Sequence, residues 1–245
     1  MVKLTKKIIK FLQLLTNRKY INGLFFGVAA SIEHESLFKG ESFNTVVDIG
    51  ANKGQFALMS RKCFPNANII SFEPQIKPCK IYKRLFSNDF KTSIFNYAIG
   101  PENGTKLIHV SKSDDSSSLL EITKLQNKIY PGTEELKKEE IKISNLRDLI
   151  SESDIKEPAL LKLDVQGFEF EALLGCNELL EHFDTIYCEC SFIELYKDQK
   201  LAHEVIAFLT ETGFRIDGFY NSSFDINGKI IQSDLLFRKV RLWKS

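Results

Sequence analysis

Three stretches of this 245-residue chain place glycines and polar residues where chemistry on a small ligand could use them: Asp48-Ile49-Gly50-Ala51-Asn52-Lys53-Gly54, Phe72-Glu73-Pro74, and Lys162-Leu163-Asp164-Val165-Gln166-Gly167-Phe168-Glu169. In the first, the apolar run Val46 to Ile49 enters a tight turn. Gly50 lets the backbone leave the strand sharply and lets a ligand approach with no Cβ in the way. Asn52 stands where a second glycine is expected, and Asn tolerates left-handed backbone best after glycine. Gly54 permits close packing of the following helix, whose free N–H groups face the ligand. Glu73 follows Asp48 by about 25 residues, the distance at which an acid closing the second strand reaches ribose hydroxyls. It would accept from both hydroxyls of an unphosphorylated ribose and repel a ribose phosphate. The layout is that of a nucleoside site.

The third stretch sets Leu161, Leu163 and Val165 on one face of a strand and Lys162, Asp164 and Gln166 on the other. A central parallel strand is normally apolar on both faces, so the polar side needs a reason. Asp164 falls at the carboxyl end, where ligands bind in open α/β sheets. The alternatives are an edge strand, or mutual neutralisation of Lys162 and Asp164. A further strand, Thr185 to Phe192, carries Glu189 near its end, either beside the same crevice or as a partner for Lys162.

The elements that must position these residues alternate. Strands are predicted at Thr45–Ile49, Asn68–Phe72 and Ile94–Ile99, with helices at Gln55–Cys63 and Ile76–Phe86 between them. Asn103-Gly104 predicts a hairpin joining Phe95–Ile99 to Lys106–Val110. Ser111 to Glu140, with its Ser113 to Ser118 cluster, reads as a polar loop that is either mobile or part of a site. A helix over Leu201–Thr212 precedes strands at Gly213–Ile216 and Leu235–Arg238, and Asn227-Gly228 between them predicts a closing antiparallel hairpin.

Met1 to Gly40 reads as an N-terminal helical extension to a domain spanning 41–245. Ile8, Ile9, Phe11, Leu12, Leu14 and Leu15 are interrupted by Lys10 and Gln13, so no signal-peptide core forms, and no membrane span is present. The helix would pack on its own domain or on a second copy in a homodimer, or contact a membrane surface peripherally. A net charge of +1 and 43% apolar residues argue against a nucleic-acid partner and against disorder. The five cysteines, an odd number, read as reduced thiols of a cytoplasmic protein. Cys188 and Cys190 share a strand face that could offer thiolates to a metal, but two small buried hydrophobes are the simpler reading.

The motifs quoted above, with the serine cluster at Ser116 to Ser118, together resemble the FkbM family of S-adenosylmethionine-dependent O-methyltransferases, from about Phe43 to the final strand. The family commonly has Glu where this chain has Gln166. The resemblance implies an α/β fold with a doubly wound, mostly parallel seven-stranded sheet of the Rossmann-like methyltransferase type and a reversed terminal strand. It implies S-adenosyl-L-methionine as cofactor and methylation of a hydroxyl on a sugar, a glycan or a secondary metabolite. Carried onto this sequence, it puts the methionine part of the cofactor near Asp48, Gly50, Ala51 and Asn52, with Gly54 at the helix start. Glu73 would hold the ribose and Pro74 and Ala98 would flank the adenine. Ser117, Ser118 and Asp164 would border the reacting end.

An alcohol becomes a good nucleophile as its proton leaves, so that reaction calls for a general base. Asp164 is the first candidate, Glu189 the second and His109 the third. Two carboxylates could instead hold a divalent cation, but no spaced ligand set demands a metal. Two other readings stand beside this one. Tyr196-x-x-x-Lys200 has the spacing of a short-chain, NAD-dependent oxidoreductase, although Gly-x-x-x-Gly in the first turn suits a ligand without a pyrophosphate. The domain could also bind cofactor as a catalytically inactive adaptor.

Overall fold

The computed structural model describes residues 2–113 and 115–240. Met1, Asp114 of the serine-rich stretch and residues 241–245 lie outside the described residues. The chain opens with α1 (Val2–Leu14) and α2 (Arg18–Phe25), then a single 3-10 turn at Ile32–His34. Asn17 starts α2 by accepting the Lys19 N–H on its side chain. β1 (Thr45–Ile49), α3 (Gln55–Cys63), β2 (Asn68–Phe72) and α4 (Ile76–Leu85) then alternate as the apolar pattern predicts.

The predicted third strand divides. β3 (Thr92–Phe95) pairs with β2, whereas β4 (Ala98–Ile99) leaves for a second, three-stranded sheet. Asn96 makes the break: its side-chain amide donates to the carbonyls of Glu73 (3.0 Å) and Pro74 (2.7 Å), anchoring the chain behind the end of β2. β5 (Gly104–Ser111), α5 (Lys124–Ile129) and β6 (Glu135–Ser144) follow.

The hairpin expected at Asn103-Gly104 does not form. β6 inserts between the two strands it would have joined, parallel to β4 and antiparallel to β5. Asn103 instead ties the turn to the exit of β6, accepting from the Asn145 N–H and donating to Asp148. The expected long loop is correspondingly shorter, because α5 lies within it and its end, Glu135 to Glu140, belongs to β6. The first six residues of β6, Glu-Leu-Lys-Lys-Glu-Glu, hide its period, and only Ile141 and Ile143 reach the core among its apolar residues.

β7 (Ala159–Leu163), α6 (Glu169–Cys176), β8 (Thr185–Ser191), α7 (Ala202–Glu211), β9 (Phe214–Phe224) and β10 (Ile230–Lys239) complete the chain. The main sheet is ordered β3-β2-β1-β7-β8-β10-β9. Every neighbouring pair is parallel except those made by β10, which runs against both β8 and β9 and closes the sheet with the predicted hairpin. β7 is therefore central, not an edge strand. One sheet face packs against α6 and α7. The other packs against α3, α4 and the N-terminal segment, whose Leu14, Tyr20, Val28 and Phe38 share a cluster with Phe56, Phe64 and Tyr187. Ile8, Phe11 and Leu12 on the outer side of α1 are exposed. Among the described residues no helix is long and apolar enough to cross a membrane.

Candidate active site

β1 and β7 lie side by side with their onward connections running in opposite directions, and a crevice opens at the carboxyl ends of such a pair. A cleft of about 670 Å³ fills it. At its centre Gly50 has φ +79°, and a Cβ there would stand 1.9 Å from the Asp164 carbonyl oxygen. Only glycine fits, and the first and third motifs meet at that contact. The turn satisfies its own backbone. The N–H groups of Gly50 and Ala51 both donate to Phe72 O, and that of Gly54 to Ala51 O.

Glu73, at the end of β2, faces this part of the cleft. Its Oε2 accepts the Asn52 N–H (2.9 Å) and its Oε1 the Gln75 N–H (2.8 Å), so the carboxylate is fixed in place while each oxygen keeps lone-pair capacity for a ligand. Burial pushes its pKa up to about 7 against the pull of those two N–H groups. Pro74, Gln75, Tyr97 and Ala98 continue the wall.

Behind the turn lies a buried ion pair, Lys162 Nζ to Asp48 Oδ1 at 3.0 Å. Asp48 is wholly inaccessible and supports the cleft from below rather than lining it. Burial works against both charges, raising the Asp48 pKa, but Asp48 and Asp164 outweigh it at Lys162 and raise the lysine's pKa. Lys162 also donates to Gly50 O (3.2 Å), while Asp164 lies 4.0 Å away. The polar face of β7 is thus explained chiefly by Asp48, and the ammonium pins the glycine turn.

The opposite end of the cleft is a network of acids and amides. Gln166 Nε2 donates to Asp164 Oδ1 (2.7 Å) and Glu189 Oε2 (3.2 Å), and Gln232 Nε2 also donates to Glu189 Oε2 (3.2 Å). Tyr196 donates to Gln166 Oε1 (2.9 Å), which fixes the orientation of that amide. An amide at 166 supplies a donor between two acids, where a glutamate would add a third carboxylate. Asp234 of β10 is paired directly across from Glu189 of β8. Burial, with Asp164 and Asp234 close by, drives the Glu189 pKa well above the usual carboxylate range.

Asp234 Oδ2 accepts from Tyr187 (2.8 Å) and Asn221 (2.8 Å), and His34 Nδ1 lies 2.9 Å from the Tyr187 hydroxyl. Asn221 has φ +47° beside register shifts in the β9–β10 pairing, and bulges of that kind re-aim side chains. His34, Tyr187, Asn221, Gln232 and Asp234 are site residues that the sequence pattern missed. Polar residues at 232–234 within an apolar strand were the available signal for the last two. For His34 there was none.

Of the other residues expected here, Ser117 lines the cleft and accepts the Ser111 N–H. Ser118 lies behind it and donates to Gln166 O (2.6 Å). Gly54 sits under Tyr82 and Phe86. His109 is on β5 with Nδ1 2.5 Å from Glu135 Oε2, and it is not among the residues that line the cleft. Tyr196 and Lys200 are not brought together: Tyr196 is buried against Gly167, and Lys200 pairs with Glu204 at 2.9 Å. Cys188 and Cys190 touch through sulfurs 3.8 Å apart in the core. Among the described residues no group of three or more His, Cys, Asp or Glu side chains could hold a metal.

A sheet of this order, with one reversed strand next to its edge and a carboxylate closing the second strand beside a glycine turn, has the Rossmann-like methyltransferase fold. A sequence profile of the methyltransferase FkbM domain matches residues 48–216, and the chain belongs to that family. It is 25% identical over 206 residues to the 2-O-methyltransferase NoeI of Sinorhizobium fredii, covering 80% of each chain. It is 25% identical over 166 residues to Methyltransferase 1 of Beauveria bassiana, where the match spans 61% of this chain and 63% of that protein. Among solved structures, Streptococcus pneumoniae Sp1610 in complex with S-adenosyl-L-methionine aligns at a TM-score of 0.49 and 10% identity, covering 89% of this chain and 76% of that one.

Proposed function

We propose that this chain transfers a methyl group from S-adenosyl-L-methionine to a hydroxyl of a sugar, a glycan or a hydroxylated secondary metabolite. The observation that carries the reading is a single cleft with a fixed, nucleoside-suited carboxylate at one end, Glu73, and the Asp164–Gln166–Glu189–Gln232 network at the other. Glu73 would hold the ribose, with Pro74 and Ala98 beside the adenine and the turn Gly50 to Asn52 beside the methionine part. Bound there, the cofactor supplies an electrophilic methyl carbon on a cationic sulfur. The chain's own residues align the acceptor and keep water out, which supplies much of the acceleration in a displacement that consumes charge.

Asp164 accepts hydrogen bonds from acceptor hydroxyls, with the Glu189 carboxyl group beside it. Two carboxyl groups held side by side by amides suit vicinal hydroxyls better than a flat apolar acceptor. The similarity to NoeI, a 2-O-methyltransferase, supports an oxygen acceptor. The test is calorimetric binding of S-adenosylhomocysteine and of NAD to the purified protein, with Glu73→Ala as control, followed by methyl transfer to a panel of glycosides. Binding of the homocysteine product that disappears in the variant is expected. Binding of NAD alone would overturn the reading.

A further inference from the structure

The network at the acceptor end leaves one basic nitrogen unused. His34 stands on the 3-10 turn of the N-terminal segment, outside residues 48–216, and its ring lines the cleft between edge-to-face contacts with Phe56 and Tyr187. Its Nδ1 meets two groups, the Tyr187 hydroxyl (2.9 Å) and the Asn221 amide nitrogen (3.1 Å). Where Tyr187 gives its one hydroxyl proton to Asp234 Oδ2 (2.8 Å), the contact between His34 Nδ1 and the Tyr187 oxygen (2.9 Å) is made by a proton on Nδ1. Asn221 has two amide protons for three contacts, Asp234 Oδ2 (2.8 Å), the Tyr187 oxygen (3.2 Å) and His34 Nδ1 (3.1 Å), and with Nδ1 protonated they serve the first two. Nε2 then carries the lone pair, and it makes no hydrogen bond among the described residues.

Resting on the methyltransferase reading above, we propose that His34 is the general base of the reaction, accepting the proton of the acceptor hydroxyl on Nε2. The O–H bond breaks and its proton passes to Nε2. The electron pair of that oxygen forms the new bond to the methyl carbon, and the pair of the breaking carbon–sulfur bond stays on sulfur. The imidazolium so formed faces Asp234, whose Oδ2 is 3.8 Å from Nδ1, through the Tyr187 hydroxyl.

The surroundings keep the ring ready for this role. Asp234 on β10, Glu33 on the same turn and Asp164 after β7 favour its charged form, Lys162 on β7 opposes it, and burial opposes it most, so the His34 pKa falls below the ordinary histidine value. Of the neighbouring acids, Asp164 Oδ1 accepts from Gln166, and Glu189 Oε2 accepts from Gln166 and Gln232.

The test uses the full chain with 15N-labelled histidine, where His34, His109, His182 and His203 are the four resonances and His34→Gln assigns one. At pH 7 a neutral ring protonated on Nδ1 is expected, with a pKa lowered further in Asp234→Asn. An Nε2-protonated or cationic ring at pH 7 overturns the proposal whatever the acceptor proves to be. In methyl transfer to methyl hexopyranosides and methyl 6-deoxyhexopyranosides, His34→Gln is expected to lower kcat by about 10²–10⁴-fold and to lose the acidic limb of the pH profile, with acceptor KM and S-adenosylhomocysteine affinity nearly unchanged. A variant that keeps that limb, or loses affinity and activity together, overturns it. Failure of the wild-type chain to bind S-adenosylhomocysteine instead overturns the methyltransferase reading, and the two failures are thereby distinguished.

Discussion

The two ends of the cleft are built differently. The end with Gly50 and Glu73 comes from two neighbouring strands and the turns that follow them, within about 30 consecutive residues, and its key hydrogen bonds link Asn52 and Gln75 to Glu73. The end with Asp164 and Glu189 gathers His34 from the N-terminal segment, Gln166 after β7, Tyr187 and Glu189 from β8, Asn221 from β9 and Gln232 and Asp234 from β10. A ligand common to a family can be served by a local motif. An acceptor particular to one protein is served by residues that only the fold assembles.

The sharpest way to break the comparison is to remove the joint between the two ends. Lys162→Met leaves Asp48 buried without its partner and should cost about 3–5 kcal/mol in denaturant-induced unfolding, while Asp48→Leu combined with Lys162→Met should recover most of that loss. A double variant as unstable as the single one would show that the pair does more than neutralise Asp48.

A second joint, Glu169, accepts the N–H groups of Val165 and Gly167 beyond β7, and burial raises its pKa to about 7. Between the ordinary carboxylate pKa and 7 the folded state binds more protons than the unfolded chain, so this group's contribution to stability declines as pH rises through that window. Glu169→Gln should therefore flatten the decline and stabilise the protein by about 1–3 kcal/mol at pH 8 relative to wild type, with little gain near pH 4. Thermal unfolding at the two pH values decides it. An equal effect at both would remove the titration argument.

On the cofactor side, Glu73→Ala should weaken S-adenosylhomocysteine binding by about 1.5–3 kcal/mol. In the wild-type chain the affinity should rise as pH increases through 7, because the ionised carboxylate is the better acceptor for ribose hydroxyls. Titration calorimetry at pH 6 and pH 8 reads both effects, and a flat pH dependence would take Glu73 off the ribose. On the acceptor side the smallest effect is expected: Gln232→Ala, which removes one donor to Glu189, should raise acceptor KM by about fivefold, equivalent to ~1 kcal/mol, and leave cofactor affinity alone. If cofactor affinity moved as well, the two ends would not be independent.

What the sequence determined by itself were the features with local causes. The alternation of apolar runs set β1, α3, β2 and α4 close to their predicted bounds, and the turn of Gly50, the placement of Glu73 and the terminal hairpin at Asn227-Gly228 follow from neighbours a few residues apart. What only the tertiary structure decided rests on partners far along the chain. β6 entered between β4 and β5 because its edges found both strands, and nothing in its charged first half announced that. Lys162 reads ambiguously until β1 places Asp48 beside it, 3.0 Å away and out of water. His34, one of the chain's four histidines, is a residue of a helical preface until Tyr187, Asn221 and Asp234 close around one nitrogen and leave the other facing no protein partner among the described residues. Burial and hydrogen-bond partnership give each of these side chains its chemistry, and both are properties of the folded chain rather than of any segment of it.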